Sequence, residues 1–226
     1  FDNTKALEEA LNDQVAAVLL EPIPATLGMP IPDADYLRRV SGLCKAHGAL
    51  LIVDEVQTGL GRTGAMWCYQ HDEISPDIVV IGKGLGGGLF PIPATLVSES
   101  ILAFSAQHPF AHISTFGGAE LGCAAALSVL DIVQEQGFMQ RVETLGRQFE
   151  QAFLGAPFLL HRRGMFMGLK FPAEQMALAA MKMLFDAGIF VVYANNDRRV
   201  LQFLPPLIIK DGEAAEIAGT VRRVLG

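Results

Sequence analysis

Two short apolar runs, each ending in a functional group, constrain this chain more than anything else in it. Leu50-Leu51-Ile52-Val53 leads into Asp54, and Ile78-Val79-Val80-Ile81 leads through Gly82 into Lys83. Unbroken apolar runs of this length, bounded by turn signals, read as strands buried on both faces, the usual condition of a parallel sheet. In open α/β sheets, ligands sit in the crevice outside the carboxyl ends of the strands. An acid and an amine delivered there, 29 positions apart in sequence, can meet over one ligand.

The flanking pattern agrees with that reading. A helix-like Thr4–Gln14 runs into the apolar stretch Val15–Leu20, which closes on Glu21-Pro22. Four prolines between Pro22 and Pro32 exclude regular helix there. Asp33 can cap a helix over Tyr36–His47, which Gly48 stops. This order of helix, strand, loop, helix and strand predicts a mostly parallel sheet with flanking helices. Thr95–Val97 is a further candidate strand, and a loop-like segment then runs to Thr115. Helices are predicted over Ala119–Gln136 and Phe138–Phe153. Near Gly155 the pattern changes to strands at Leu159–Phe171 and Val200–Leu204, with helices at Ala173–Ala187 and Glu213–Leu225. The fold class is therefore α/β, with residues 1–155 as part of a large domain and residues 156–226 as a small α+β C-terminal domain.

Composition narrows the classes of function. The 226 residues suffice for one large domain or one and a half. Only 18% are charged and 51% are hydrophobic, against about 25% charged in ordinary soluble domains, so some apolar surface is expected to be covered from outside the chain. A net charge of -7 argues against a nucleic-acid partner. No apolar run approaches the ~20 residues of a membrane helix, which predicts a soluble protein. The chain opens on Phe1-Asp2-Asn3 with no basic-then-apolar leader, and reads as a fragment, a processed chain or one lacking its beginning. Cys44, Cys68 and Cys123 are odd in number and widely spaced, which suggests neither a disulfide framework nor a zinc site and fits a reducing cytoplasm.

Several motifs fail in context. Gly59-x-Gly61-x-x-Gly64 has the letters of a dinucleotide fingerprint, yet it sits too close to the acidic strand end and opens no clear helix; a loop needing positive φ is the better reading. Gly82-Lys83 is no P-loop, because Asp77 and Gly84 occupy the flanking positions where glycine and a hydroxyl are required. His108 and His112 are separated by Pro109, which disfavours a shared helix face, and no metal site is assigned. Asp54 and Lys83 each have a plain alternative, as a cap and as a solvated amine. As a pair on consecutive parallel strands they suit pyridoxal phosphate (PLP), which needs a lysine for its Schiff base and an acid to keep its pyridine nitrogen protonated. A buried carboxylate persists when it is paired in this way.

Three ordered motifs then carry a resemblance. Asp54-Glu55-Val56-Gln57-Thr58-Gly59-Leu60-Gly61-Arg62-Thr63-Gly64, Pro76-Asp77 through Lys83 to Gly88, and Ser114-Thr115-Phe116-Gly117-Gly118 closely resemble the class III (ornithine, acetylornithine and putrescine type) aminotransferases of PLP fold type I, from about Val15 to the C-terminus. The resemblance implies a PLP enzyme that transfers an amino group between a donor amine or amino acid and a carbonyl acceptor, as a cytoplasmic homodimer with shared active sites. It implies Lys83 as Schiff-base and proton-shuttle lysine, Asp54 at the pyridinium nitrogen, Val56 on the ring face and Gln57 near the ring hydroxyl. Thr115, with Ser114 beside it, would reach the phosphate of the neighbouring subunit's cofactor. Backbone N–H groups near Gly117 and Gly118 suit a phosphate, and a helix N-cap is the plain use of Ser114-Thr115.

Departures from the family bear on substrate. Ornithine-type members carry an arginine before Phe-x-Pro-Pro-Leu that clamps the substrate carboxylate; here the position is Gln202, which supplies neither charge nor fork. Members with that arginine continue Gln-Gly-Glu after the first strand, whereas this chain continues Pro24-Ala25-Thr26. Losing both partners is coherent, since a glutamate without its arginine would be an unpaired charge in the site. Thr26 and Gln202 are therefore the candidate substrate residues, and the acceptor is expected to be an aldehyde or ketone on a larger or less acidic molecule. Arg198 and Arg199 are possible substitute charges, or a solvated turn. Members also carry an N-terminal portion with a Gly-Thr-Gly-like phosphate loop and a ring-stacking aromatic, which would precede Phe1. The rival readings are an epimerase or lyase sharing Lys83 and Asp54, and a non-catalytic dimerisation or binding remnant.

Overall fold

The computed structural model describes residues 1–226. By packing, the chain divides into two compact units. The first comprises Phe1–Pro22, Pro32–Leu60 and Met66–Glu135; the second comprises Ile23–Ile31, Gly61–Ala65 and Gln136–Gly226.

In the first unit, strands β1 (Ala17–Leu20), β2 (Leu50–Asp54), β3 (Ile78–Ile81) and β4 (Ala94–Val97) form a sheet in that order. The first three are parallel and β4 is antiparallel to β3. Register puts Val18, Leu20, Leu51, Val53, Val79 and Ile81 on one face. That face packs against Leu37, Val40 and Cys44 of helix α2 (Tyr36–His47), and against Leu60, Leu85 and Ala126, the last from helix α4 (Glu120–Val133). The expectation of strands buried on both faces is corrected: both helices lie on the same side, so Leu51 and Val53 are buried while Leu19, on the opposite face, is 65% exposed. At the start of β2, Asp77 Oδ2 accepts the Leu51 N–H at 2.8 Å and the Asp77 N–H donates to Leu51 O at 2.9 Å, so the entry to β3 is tied to β2 by side chain and main chain together.

Helix α1 is shorter than its pattern, Thr4–Ala10, because Asn12 Oδ1 accepts the Gln14 N–H at 2.9 Å and turns the chain instead. Asp33 does not cap α2 with its side chain; it contributes its carbonyl to Tyr36 N, while Asp35 holds the cap position and its carboxylate takes Arg38. Part of the segment read as loop before Thr115 is helix α3 (Glu99–Gln107), which buries no residue and so leaves no periodic apolar face to detect.

The second unit is an antiparallel sheet, β5 (Leu159–Arg163), β6 (Phe166–Lys170), β8 (Asp197–Phe203) and β7 (Val192–Ala194) in spatial order, with helices α5 (Phe138–Ala152), α6 (Glu174–Asp186) and α7 (Asp211–Leu225). Its core joins Met167, Leu169, Leu201 and Phe203 to Leu145 and Phe149 of α5, Leu184 of α6 and Val221 of α7. The single strand expected over Leu159–Phe171 is a hairpin that turns at Gly164, and the short strand β7 was not foreseen. Packing also groups α5 with this unit, whereas the pattern change in sequence lies near residue 155; Val142, Leu145 and Phe149 are all within the second core.

Two peptide segments from earlier in the chain complete this unit. In 61–65, Arg62 O accepts the Met165 N–H at 2.9 Å and Arg62 Nη1 donates to Pro205 O at 2.6 Å. Burial without a carboxylate partner pushes the Arg62 guanidinium down to about 10. In 23–31, Ile23, Ala25 and Met29 are fully buried, and the Asn196 N–H donates to Thr26 O at 2.8 Å.

Candidate active site

The acid and the amine leave the same end of adjacent parallel strands. Register pairs Asp54 with Val80, and the Glu55 N–H donates to Val80 O at 2.8 Å, extending the ladder one residue past Asp54. Lys83 follows Val80 by three positions, about 10 Å of extended chain, after an extended Gly82 with φ of −175°. Asp54 Oδ1 accepts the Val56 N–H at 2.9 Å, which turns the chain at the strand end. Lys83 itself sits at φ +41°, in the left-handed region that side chains avoid. A non-glycine residue held there costs roughly 1–3 kcal/mol, and such strain clusters at functional sites. A tight 3-10 turn imposes it, with Leu85 N–H donating to Gly82 O and Gly87 N–H to Gly84 O, both at 3.0 Å.

Lys83 lines a cavity of about 480 Å³ together with Val56, Gly82 and the segment Gly88 to Pro93. Apart from the amine, the side-chain walls are apolar: Val56, Leu89, Phe90, Ile92 and two prolines. Gln57 is partly buried in the turn that follows Asp54.

Glu55 was named in the sequence only as part of a motif, yet it is the most buried acid of this region, 2% exposed. Its Oε2 accepts the Thr58 hydroxyl at 2.6 Å and its Oε1 the Tyr69 N–H at 2.9 Å. Burial pushes its carboxyl above the usual range; hydrogen bonds from Thr58, Tyr69 and Cys68 oppose that, and the charge of Asp54 adds to it. The folded state thus binds a proton more readily at Glu55 than the unfolded state does. This contribution to stability is fully present below the unfolded carboxyl pKa and is lost as pH rises through the folded one. In denaturant unfolding across pH 4 to 7, the wild type is expected to show this downward component and Glu55→Gln to lack it.

The remaining candidates fall elsewhere. Ser114 and Thr115 are exposed, and they do not cap α4: Ala119 holds that position, because the turn through Gly117 and Gly118 separates the hydroxyls from the helix. Thr26 and Gln202 belong to the second unit, and both attach to the β7–β8 hairpin. Thr26 meets Asn196 between those strands, and Gln202 Nε2 donates to Tyr193 O at 3.1 Å. Arg199 is committed to Asp197, with two contacts of 2.8 Å, while Arg198 is exposed. In the glycine loop, Gly61 and Gly64 have φ near +85°, the backbone requirement read from their spacing.

Residues 1–225 match the family described as aminotransferase class-III. The chain belongs to the class-III aminotransferases. An uncharacterized aminotransferase of Archaeoglobus fulgidus is 46% identical over 220 residues, which is 94% of this chain and 52% of that protein. The class-III chain thus spans about half the length of that curated relative. An ornithine aminotransferase of Toxoplasma gondii, crystallized in the presence of oxidized glutathione and with PLP partially occupying its active site, superposes with a TM-score of 0.92 at 34% identity, over 100% of this chain and 54% of that one. Acetylornithine aminotransferase of Elizabethkingia anophelis gives 0.89 at 30%, over 100% and 58%. Both superpositions cover the whole of this chain.

Proposed function

We infer that this protein catalyses PLP-dependent transfer of an amino group between a donor amine or amino acid and a carbonyl acceptor. The observation that carries the reading is the delivery of Asp54 and Lys83 from the same end of adjacent parallel strands, beside an apolar cavity, in a class-III aminotransferase chain. The donor set fits the cofactor: an amine for the covalent link, a carboxylate on the neighbouring strand, and an apolar wall for an aromatic face. When bound, PLP supplies an electron sink for the carbon that bears the amino group. Lys83 would hold the cofactor, and its amine, when free, would be the group that carries a proton at the substrate α-carbon. Asp54 keeps a proton on the ring nitrogen, its one hydrogen bond to Val56 leaving the second oxygen without a protein donor. Val56, which lines the cavity, would supply an apolar face for the ring, and Gln57 would offer a hydrogen bond to its hydroxyl. Exposed Ser114 and Thr115 would be free to hold the cofactor phosphate of a second copy, so a homodimer with shared sites is part of this reading. On this reading the first unit contributes to the cofactor domain, and the second, which takes in 23–31, 61–65 and 136–226, is the small domain. The widely spaced cysteines support a cytoplasmic setting, and no helix is long and apolar enough to cross a membrane.

Reduction of the PLP-loaded full-length protein with borohydride, followed by peptide mapping, tests this. A covalent adduct on Lys83, together with amino transfer from at least one donor in an amine and amino-acid screen, is expected. An adduct on another lysine, or loss of cofactor amino groups with no carbonyl acceptor aminated, would sink the reading.

For substrate choice, Thr26 and Gln202 are both neutral, and Arg199 is neutralised by Asp197. On this reading the acceptor is an aldehyde or ketone on a larger or less acidic molecule. Gln202→Arg is expected to raise kcat/KM for acidic donors such as glutamate by roughly 10-fold or more, the gain of a charge-assisted over a neutral contact. Tight glutamate turnover in the wild type, unchanged in that variant, would count against it.

A further inference from the structure

The turn after β2 is organised by one side chain to which no role in the chemistry has been given. Glu55 is tied in four directions within the first unit. Its N–H donates to Val80 O on β3 at 2.8 Å and its carbonyl accepts the Gly59 N–H at 2.9 Å. Its carboxylate takes the Thr58 hydroxyl at 2.6 Å on one oxygen and the Tyr69 N–H at 2.9 Å on the other. The loop is closed so tightly that a Cβ at Gly59 would stand 2.9 Å from Glu55 O and from the Trp67 ring. An apolar side chain of similar volume could fill this space without the desolvation cost of a carboxylate. It would keep the two main-chain bonds, to Val80 and Gly59, but it could not join the Thr58 hydroxyl to the segment around Tyr69, as the two carboxylate oxygens do.

Val56 comes directly after Glu55 and is held between the Asp54 carboxylate before it and the Glu55–Gly59 closure behind it. Its methyl groups lie 3.7 and 3.8 Å from where a Cβ on Gly82 would stand, next to Lys83. We propose that Glu55 is a positioning residue of the cofactor cradle: by anchoring the turn through its carboxylate, it fixes Val56 against the cavity that Lys83 lines. The proposal rests on the reading of that cavity as a PLP site. A reacting constellation tolerates displacements of only about 0.5 Å, so loosening the turn loosens the cradle even where the fold survives.

The test uses the full-length protein, with PLP affinity measured by reconstitution of the apoenzyme and the pH dependence of the bound-cofactor absorption recorded for each variant. Glu55→Ala is expected to weaken PLP binding by the order of 10-fold, the scale of losses when outer-shell partners of a bound group are removed, and to displace the pH profile of the absorption. Glu55→Gln keeps an acceptor for Tyr69 and a donor for Thr58, and is expected to restore affinity to within about 3-fold. Thr58→Val removes a single contact and gives a smaller change in the same direction; it decides the matter if Glu55→Ala does not fold. Wild-type affinity and an unmoved pH profile in a folded Glu55→Ala, or in Thr58→Val if that is the variant that folds, would overturn the proposal. Failure of the wild type itself to bind PLP would instead overturn the cofactor reading beneath it.

Discussion

Replacing Lys83 with alanine is expected to slow amino transfer by the order of 10³-fold or more in the full-length protein, through loss of both the covalent anchor and the proton carrier. The same variant should unfold at the wild-type denaturant concentration. Lys83 is exposed and makes no ion pair with Asp54, so the fold does not rest on its ammonium group. The left-handed backbone at that position is imposed by the turn around it and remains in the variant. Single-turnover amination of the cofactor, paired with a denaturation curve, separates the two quantities. A large loss of stability, or retention of more than a few per cent of the rate, would remove Lys83 from the centre of the chemistry.

The second large effect is on stability and has the opposite sign to what helix propensity suggests. Glycine to alanine inside a helix ordinarily stabilises by roughly 1 kcal/mol. Gly146 lies within α5, and a Cβ there would overlap the carbonyl oxygen of Gly164 and stand 2.8 Å from the guanidinium of Arg162. Neither neighbour can yield cheaply. Gly164 is at φ +57° and is itself pressed against Thr63 and Gly64, while Arg162 is held by Glu143 at 3.2 Å and Glu150 at 2.9 Å. Gly146→Ala is therefore expected to destabilise the protein by about 2–3 kcal/mol, the cost of overpacking a rigid contact. Equilibrium unfolding measures it; an unchanged or raised midpoint would show that α5 is free to move away from the hairpin.

The features legible in sequence were those in which local chemistry and burial agree. Ile78–Ile81 is a strand to the residue, Leu50–Val53 is one that runs on through Asp54, and α2 ends at Gly48 as its pattern required, because apolar runs and turn residues act locally. Asp54 and Lys83 could be read as a pair because parallel strands deliver their ends to one side. Glu55 was hidden for the converse reason: its partners are Thr58, nearby, and Tyr69, fourteen residues on, and nothing local announces that the carboxylate turns inward. Likewise α3 escaped notice because it buries nothing, and the turn at Gly164 because a connection of two residues, Gly164-Met165, leaves little break between Leu159–Arg163 and Phe166–Lys170. The one-sided burial of the first sheet could not be deduced from β2, whose Ile52 differs from its buried neighbours only by where the helices lie.

The interleaving of the two units carries a consequence for how the protein is made. Ile23, Ala25 and Met29 are sealed within the second unit, where Met29 lies against Gly168 on β6. On the ribosome, some 139 residues separate Met29 from Gly168, which at 5–20 residues per second is roughly 7–28 s of synthesis. For that interval these apolar side chains have no native shelter. The nascent chain is thus most vulnerable to aggregation between completion of the first sheet and emergence of β6, and a chaperone that engages it would do so in that window.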